Sequence, residues 1–360
     1  MLNLLLKIEK TPSAGSQPIH LRGPSEVLVR SVGKFHIYDM QSGKKRTSFG
    51  MRGRGNPGPC RFSPDGSVLA ASSGATLFIR ETDKYKYVHT LKAHDSFVSG
   101  VAFIDNETLC TVAQFDRHLA ISDLSSGEIT DRIPLGQDLP DHWDFRVDAL
   151  IPDPSAHRLI CVTQVSHDGD DGHKTFSQVC QVFDVRKRAW VHRGDIAAPH
   201  SENGGAWFGA AQLIGGQVAY VAKRGKNDEG RMIRSTSALD LETNTVTETE
   251  STFDRSRDVV SWHDHTGKSL KPVSFEATHE EGRGIFRDGT EWLVAAGRPS
   301  KGKYKYALQV NHGDLASLLL FRNGIRVQPV FDDGERKILP IRHKRRPLGL
   351  EDDLLLWEVS

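Results

Sequence analysis

The chain has 360 residues, of which 38% are hydrophobic and 26% are charged, a composition that excludes a disordered chain. Its 47 Lys and Arg residues balance its 46 Asp and Glu residues, which argues against a strongly basic nucleic-acid-binding domain. No run of about eighteen uncharged apolar residues occurs, so the sequence predicts no membrane-spanning helix.

The first predicted element is an apolar, strand-like stretch at the N-terminus, LNLLLKIE, which covers residues 2–9. Its apolar run, Leu2 to Leu6, is too short for a signal-peptide core. It also lacks a preceding basic flank and a following small-residue cleavage site. We therefore expect a cytoplasmic protein that has no membrane partner.

After this stretch, short alternating apolar runs recur between clusters of Gly, Asp, Asn and Pro, and helical periodicity is almost absent. The clearest unit covers residues 94–135 and divides into four strands: VSGVAFI, TLCTVA, HLAISDL and EITDRIPL. The turns between them are DNE, QFDR and SSG, all rich in turn-forming residues. Four-stranded units of about forty residues are typical of a β-propeller.

Seven such units follow one another, with a segment at 254–280 that is an insertion or a long connector. We therefore predict one all-β domain over residues 1–360, a propeller of seven blades with four antiparallel strands each. Six or eight blades are the alternatives, because the sixth unit is poorly resolved in the sequence. The units are residues 18–50, 57–93, 94–135, 143–196, 205–253, 281–323 and 325–360.

The last unit has room for only three strands, RVQPVFDD, RKILPIRH and DDLLLWEVS. Residues 2–9 would supply the missing outermost strand and close the ring between the two ends of the chain. Closure of this kind removes exposed sheet edges that would otherwise invite aggregation. The alternative is a short N-terminal helix that packs outside the ring.

The repeats also resemble the WD-repeat family, whose unit has Gly-His near its start and Trp-Asp at the end of its third strand. Ala93-His94 occupies the first position. The resemblance implies a buried polar network of His94, Thr111 and Asp116, with Ser122 where the Trp indole would lie. It is most specific over residues 57–135. The second position reads Tyr38-Asp39, Arg80-Glu81, Ser122-Asp123, Phe183-Asp184, Leu239-Asp240 and Trp357-Glu358, so the acid persists while the Trp is mostly replaced.

The loops between the second and third strands of a propeller blade share one face with the connectors between blades. They are short in the early units and long in the last four, where three of the four are basic. We expect this basic face, with two connector tryptophans, to bind an acidic partner. The candidate residues are Arg52, Arg54, Trp143, Trp207, Lys223, Arg224, Lys226, Arg298, Lys301, Lys303, Arg342, Lys344, Arg345 and Arg346.

Two histidine-containing stretches are candidates for metal sites. HDGDDGH, residues 167–173, alternates Asp like a calcium loop but lacks the bidentate Glu that such a loop needs. WHDH, residues 262–265, would place His263 and His265 on one face and could use His279 as a further ligand. Polar surface loops explain both stretches, so we predict no metal and no cofactor.

Four cysteines are dispersed along the chain, each inside an apolar run and none in a CxxC pair. This pattern predicts buried side chains rather than metal ligands or redox centres. Two of them are expected on neighbouring strands, although a cytosolic chain would keep them reduced. They are Cys60, Cys110, Cys161 and Cys180.

Motifs for catalysis are missing from the sequence, including GxSxG, the Walker-type phosphate loop and HExxH. The sequence therefore favours a non-catalytic protein–protein interaction scaffold, as a subunit of a larger complex. The first alternative is a propeller enzyme with a metal or His/Asp site near the central channel. The second is a nucleic-acid-binding propeller.

Overall fold

A computed structural model provides the coordinates. Within the residues it describes, the chain forms thirty strands and no helix. Accordingly, no helix long and apolar enough to cross a bilayer is found in that part of the chain. The described residues are 2–12, 19–22, 25–31, 33–50, 57–137, 144–153, 157–168, 174–197, 211–214, 217–226, 232–241, 243, 245–250, 258–264, 266–272, 275–286, 288, 290–299, 304–312, 315–323, 325–327, 331–332, 337–344 and 351–360.

The strands are numbered in chain order, and β1 is Leu2–Pro12. The first sheet contains β2 (Ile19–Arg22), β3 (Glu26–Ser31), β4 (Lys34–Asp39) and β5 (Lys45–Gly50). The second contains β6 (Pro57–Phe62), β7 (Val68–Ser73), β8 (Thr76–Glu81) and β9 (Tyr87–Leu91). The third contains β10 (Val98–Phe103), β11 (Thr108–Ala113), β12 (His118–Asp123) and β13 (Glu128–Pro134).

The fourth sheet contains β14 (Asp144–Asp153), β15 (Arg158–Asp168), β16 (Lys174–Asp184) and β17 (Ala189–Ala197). The fifth contains β18 (Ala211–Ile214), β19 (Gln217–Lys226), β20 (Met232–Asp240) and β21 (Val246–Glu250). The sixth contains β22 (Asp258–Asp264), β23 (Phe275–Ile285), β24 (Glu291–Pro299), β25 (Tyr306–His312) and β26 (Leu315–Phe321). The seventh contains β27 (Ile325–Val327), β28 (Phe331–Asp332), β29 (Lys337–Lys344), β30 (Glu351–Val359) and β1.

The first five sheets are antiparallel and follow the chain strand by strand. The sixth differs, because β22 adds a fifth strand that pairs parallel with β26, with Trp262 opposite Leu318. This strand lies within the segment 254–280, which the repeat pattern leaves without a place among the four strands of a unit. Trp262 is half-buried there and packs on the apolar cluster around Leu318 and Leu320.

The two ends of the chain pair with each other in the seventh sheet. β1 runs antiparallel to β30, with Leu4 opposite Trp357 and Ile8 opposite Leu354. The order β1–β30–β29–β27 makes the N-terminal strand the outermost one. The predicted pairing is therefore confirmed, and the alternative of an N-terminal helix is wrong. Alternating apolar residues explain the choice, since Ile8 and Leu354 bury their side chains while Glu9 is exposed.

Among the described residues, apolar clusters join most successive sheets and also the last sheet to the first. Ile8 and Leu354 of the seventh sheet pack with Val27 of the first, and Phe321 of the sixth packs with Trp357 of the seventh. Comparable clusters join the first sheet to the second, and so on to the fifth, while β19 of the fifth contacts β23 of the sixth. The molecule is a β-propeller whose seven sheets are its blades.

The acid at the end of the third strand accepts hydrogen bonds in the turn that follows it in the first and third blades. Asp39 Oδ1 accepts hydrogen bonds from the backbone N–H and the hydroxyl of Ser42, both at 2.6 Å. Asp123 Oδ1 does the same for Ser125, at 2.7 and 2.6 Å, and Gly127 then takes the positive φ of +73° that closes the turn. The carboxylate thus stabilises the turn in both blades, although neither has a Trp before it.

The four cysteines are buried free thiols, as expected from their apolar surroundings. Burial raises the pKa of Cys60 and of Cys110 to about 12, so neither thiol ionises near neutral pH. Cys161 and Cys180 lie on the neighbouring strands β15 and β16, as predicted. They belong to different apolar clusters, on opposite faces of the fourth sheet.

Candidate functional site

The site lies where the connector into the third sheet meets the turn between β11 and β12. The backbone N–H of Gln114 donates to the carbonyl of Phe97 at 2.8 Å, and the N–H of Phe115 donates to Ser96 Oγ at 3.2 Å. The N–H of Val98 also donates to the Gly74 carbonyl, in the corresponding turn of the second sheet, at 3.0 Å. Connectors and second-to-third-strand turns therefore meet on one side of the sheets, which we call the loop face.

Two phenylalanines project from these joined segments. Phe97 is 65% exposed and Phe115 is 62% exposed, the largest exposures among the large hydrophobic residues of the described chain. Their backbones are held by the hydrogen bonds just described, so the rings are presented from fixed turns. Large exposed apolar side chains on adjoining turns are candidates for an interaction site. This pair was not predicted from the sequence, although a Phe within the polar turn QFDR is a visible signal.

A buried hydrogen-bond network lies beneath these turns. His94 Nδ1 is 3.1 Å from Asp116 Oδ2, and His94 Nε2 is 3.0 Å from Thr111 Oγ1. The backbone N–H of Asp95 donates to the same Asp116 oxygen at 2.9 Å. The network that the family resemblance implied is confirmed, and it ties the connector to both β11 and the turn that follows it.

The electrostatics of the network keep the histidine neutral. Burial, with a further contribution from His118, lowers the pKa of His94 to about 4, despite the neighbouring Asp116. Burial alone would raise the pKa of Asp116, but hydrogen bonds from Ser96 and from the Asp95 N–H lower it below its ordinary value. At neutral pH the pair is therefore a neutral imidazole beside a carboxylate.

Ser122 occupies the position of the family's Trp and takes no part in the network. It pairs with Leu109, whereas Thr111 pairs with Ala120 two residues further along β11. The Ser122 hydroxyl is buried and has no hydrogen-bond partner among the residues that the structure describes. The third blade therefore keeps the polar half of the family's network without the indole.

A second histidine stands beside the network. The His118 ring is stacked on His94 with centroids 4.8 Å apart and planes inclined by 21°, and its Nε2 is 3.2 Å from the Ala93 carbonyl. One ligand atom from each of His94, Asp116 and His118 lies within 4.8 Å of the others. Imidazole nitrogens and a carboxylate oxygen are the ligands that zinc and similar transition metals take in proteins.

The basic residues predicted for loops lie on strands wherever the structure describes them. The second and third strands of the fourth to seventh sheets run longer than those of the first three, as in the 11-residue β15 compared with the 6-residue β11. These hairpins continue because their arms keep pairing, as Arg224 does with Arg234. On strands are Lys223, Arg224, Lys226, Arg298, Arg342 and Lys344.

The other predicted partner-binding residues lie outside the described part of the chain. They are Arg52, Arg54, Trp143, Trp207, Lys301, Lys303, Arg345 and Arg346. Of the two histidine-containing candidate metal sites, residues 169–173 and 265 also lie outside it. His167 continues β15, His263 lies on β22 and His279 on β23.

Comparisons with known proteins agree with the WD-repeat resemblance. No family model matches the chain. A nuclear distribution protein, nudF, from Aspergillus flavus and from Aspergillus oryzae is 39% identical over 67 residues, which is 18% of this chain. The matched stretch spans only 15% of the length of those relatives. nudF is a WD-repeat protein, so this local match supports a divergent WD-repeat propeller.

The fold is also found among solved structures. Hydrazine synthase from Kuenenia stuttgartiensis superposes with a TM-score of 0.55 over 84% of this chain and 77% of its own. The two share 11% sequence identity, so the likeness concerns the fold alone. The propeller architecture is common to proteins with unrelated activities.

Proposed function

We propose that this chain is a non-catalytic protein-interaction module of the cytoplasm whose partner docks on the loop face. The observation that carries the proposal is the exposure of Phe97 and Phe115 on adjoining, hydrogen-bonded turns. Burying one phenyl ring at an interface stabilises a complex by about 1.5–3 kcal/mol relative to leaving it in water. A rigid platform adds to this, because little conformational entropy is lost when the partner binds.

The partner is a protein segment that combines an apolar side chain with acidic residues. The apolar part fits the two phenylalanines, and the acidic part fits the basic residues on the long hairpins of the fifth to seventh blades. Lys223, Lys226, Arg342 and Lys344 lie near the ends of those strands. Complementary charge of this kind speeds encounter and fixes orientation more than it raises affinity.

The test compares proteins captured from native cells by the wild-type chain and by a Phe97→Ser, Phe115→Ser variant. We expect a partner that is retained by the wild type and lost by the variant. A Val88→Ser, Val191→Ser variant is the matched control, because these valines are 51% and 47% exposed on the outer strands β9 and β17. Equal capture by all three proteins contradicts the proposal.

The role of the basic residues is tested separately. An Arg342→Glu, Lys344→Glu variant is compared with the wild type for binding to the partner that the capture experiment identifies. We expect slower association and a weaker dependence of the association rate on salt. If the chain instead retains nucleic acid, and its affinity falls steeply with salt, the nucleic-acid alternative replaces this part of the proposal.

A further inference from the structure

We propose that His94, Asp116 and His118 bind a divalent transition-metal ion of the zinc type, and that the ion fastens together the two turns that carry Phe97 and Phe115. The three residues come from the connector, the β11–β12 turn and the first position of β12. Their ligand atoms lie within 4.8 Å of one another. The second half of this inference rests on the proposed function, whereas the first half does not.

The hydrogen bonds around the two histidines suit a metal site. A metal-binding imidazole usually donates its other ring N–H to an oxygen, which orients the ring. His118 Nε2 is placed to donate to the Ala93 carbonyl, which leaves Nδ1 with its lone pair. His94 binds through Nδ1 once its proton moves to Nε2, where Thr111 Oγ1 is 3.0 Å away as the acceptor. This change of tautomer releases no proton.

Closure of the site requires one modest movement. His94 Nδ1 and Asp116 Oδ2 are 3.1 Å apart, close to the ligand separation of a tetrahedral zinc site with bonds of about 2.0–2.1 Å. The His118 ring has its centroid 4.8 Å from that of the His94 ring and is inclined to it by 21°. It tilts to bring a third ligand nitrogen to the ion. His94 is fully buried while Asp116 and His118 are partly exposed, so the ion enters from the loop face and a water fills the fourth position.

Such an ion would connect the two turns that carry Phe97 and Phe115. His94 precedes Phe97 by three residues, and Asp116 follows Phe115 directly. A bond from one ion to both segments limits their relative motion beyond what the backbone hydrogen bonds achieve. We expect metal binding to raise the affinity for the apolar partner through this pre-organisation.

The test uses the purified full chain, stripped of metal with a chelator, and Zn²⁺ or Co²⁺ alone as the probe. We expect one ion per chain by titration calorimetry, a raised unfolding temperature, and visible absorption bands of tetrahedral Co²⁺. The His118→Gln variant leaves the His94–Asp116–Thr111 network in place and should weaken binding of the ion by about 100-fold or more. Loss of a residue that only supports a ligand weakens metal binding by about 10- to 100-fold, so a larger loss indicates that His118 is itself a ligand.

Three histidine variants serve as matched controls: His89→Gln on β9, His167→Gln on β15 and His263→Gln on β22. All three should bind the ion like the wild type. The inference is overturned if the wild type binds no ion saturably, if His118→Gln binds as tightly as the wild type, or if a control variant loses the ion. Partner capture that still depends on Phe97 and Phe115 would leave the proposed function standing in each case.

Discussion

The third and seventh blades fill the same position of the repeat in opposite ways. Ser122 in the third blade and Trp357 in the seventh are equivalent, because each pairs with a leucine of the preceding strand, Leu109 and Leu339. Two residues further along that strand, the third blade has Thr111 and the seventh has Ile341. The third blade thus keeps the polar network without the indole, and the seventh keeps the indole without the network.

The free energies involved explain why the seventh blade tolerates an indole without the polar network. The Trp357 indole N–H is buried and has no acceptor among the described residues, which costs about 1–3 kcal/mol. Its side chain is 0% exposed and packs with Leu339, Ile341 and Phe321. Burying about 150–250 Å² of aromatic surface at about 25 cal/mol per Å² contributes about 4–6 kcal/mol. Apolar burial outweighs the lost hydrogen bond.

The second blade shows a third solution at the equivalent position. Arg80 is buried, with its guanidinium 3.7 Å from the centre of the Tyr87 ring, and its Nη2 donates to the Gly50 carbonyl at 2.8 Å. A planar cation can satisfy its donors and stack on an aromatic ring at once. The position therefore accepts a buried Trp, a buried Arg that stacks on an aromatic ring, or a small Ser beside a separate polar network, and it does not require a Trp.

The largest expected effect follows from the way the seventh blade is built, because it combines strands from both ends of the chain. Deleting residues 1–12 removes β1, which uncovers the outer edge of β30 and the buried residues Leu354 and Leu356. We expect the cooperative unfolding transition to disappear, as followed by circular dichroism. The third blade is built from one contiguous stretch and has no such dependence. Leu5→Ser, at a position 36% exposed on β1, should unfold like the wild type. A truncated chain that melts like the intact one contradicts the terminal pairing.

The next largest effect tests how much the buried Trp357 side chain stabilises the seventh blade. Trp357→Ala should lower the free energy of unfolding by about 3–5 kcal/mol, because it leaves a cavity in the cluster shared with the sixth blade. Trp357→Phe should lower it by less, since the ring is kept and the unpaired N–H is removed. Urea unfolding measures both. Similar losses for the two variants would show that the indole nitrogen matters more than the buried surface.

A smaller effect should appear as a pH dependence of the free energy of unfolding, and its source is His94 in the third blade. The pKa of His94 lies near 4 in the folded protein and at 6.5 ordinarily, so between these values the unfolded chain binds a proton that the folded chain does not. Stability should therefore fall as the pH is lowered from about 6.5 to about 4, by up to about 3 kcal/mol. Urea unfolding at several pH values should show a shallower slope for His94→Gln. Parallel slopes for the two proteins would exclude His94 as the source.

The smallest effect concerns the two hydroxyls of the third blade. Ser122→Ala removes a buried hydroxyl without a described partner and should raise the free energy of unfolding by about 0.5–1 kcal/mol. Thr111→Val removes a hydroxyl that contacts His94 and should lower it by about 1 kcal/mol. Opposite signs in matched urea titrations support the comparison. A loss of stability in Ser122→Ala shows instead that its hydroxyl is satisfied in the folded protein.

Much of the fold followed from local patterns. Alternating apolar residues and turn signals predicted strands and sheets, and the apolar runs at both ends predicted the pairing of β1 with β30. The family resemblance implied the contacts of His94 with Thr111 and Asp116. The positions of the strand ends in the later blades were not predicted, because polar residues such as Lys223 and Arg224 are equally compatible with a loop and with an exposed ladder.

The amino-acid sequence by itself determined most of the strands, the turns between them and the grouping of consecutive strands into sheets, because those depend on residues a few positions apart. Only the tertiary structure decided which distant side chains meet. It brought His118 against His94, joined the segments that carry Phe97 and Phe115, and added β22 as a fifth, parallel strand. The physical reason is that such contacts depend on how sheets stack and connectors cross, and no periodicity in the chain records that geometry.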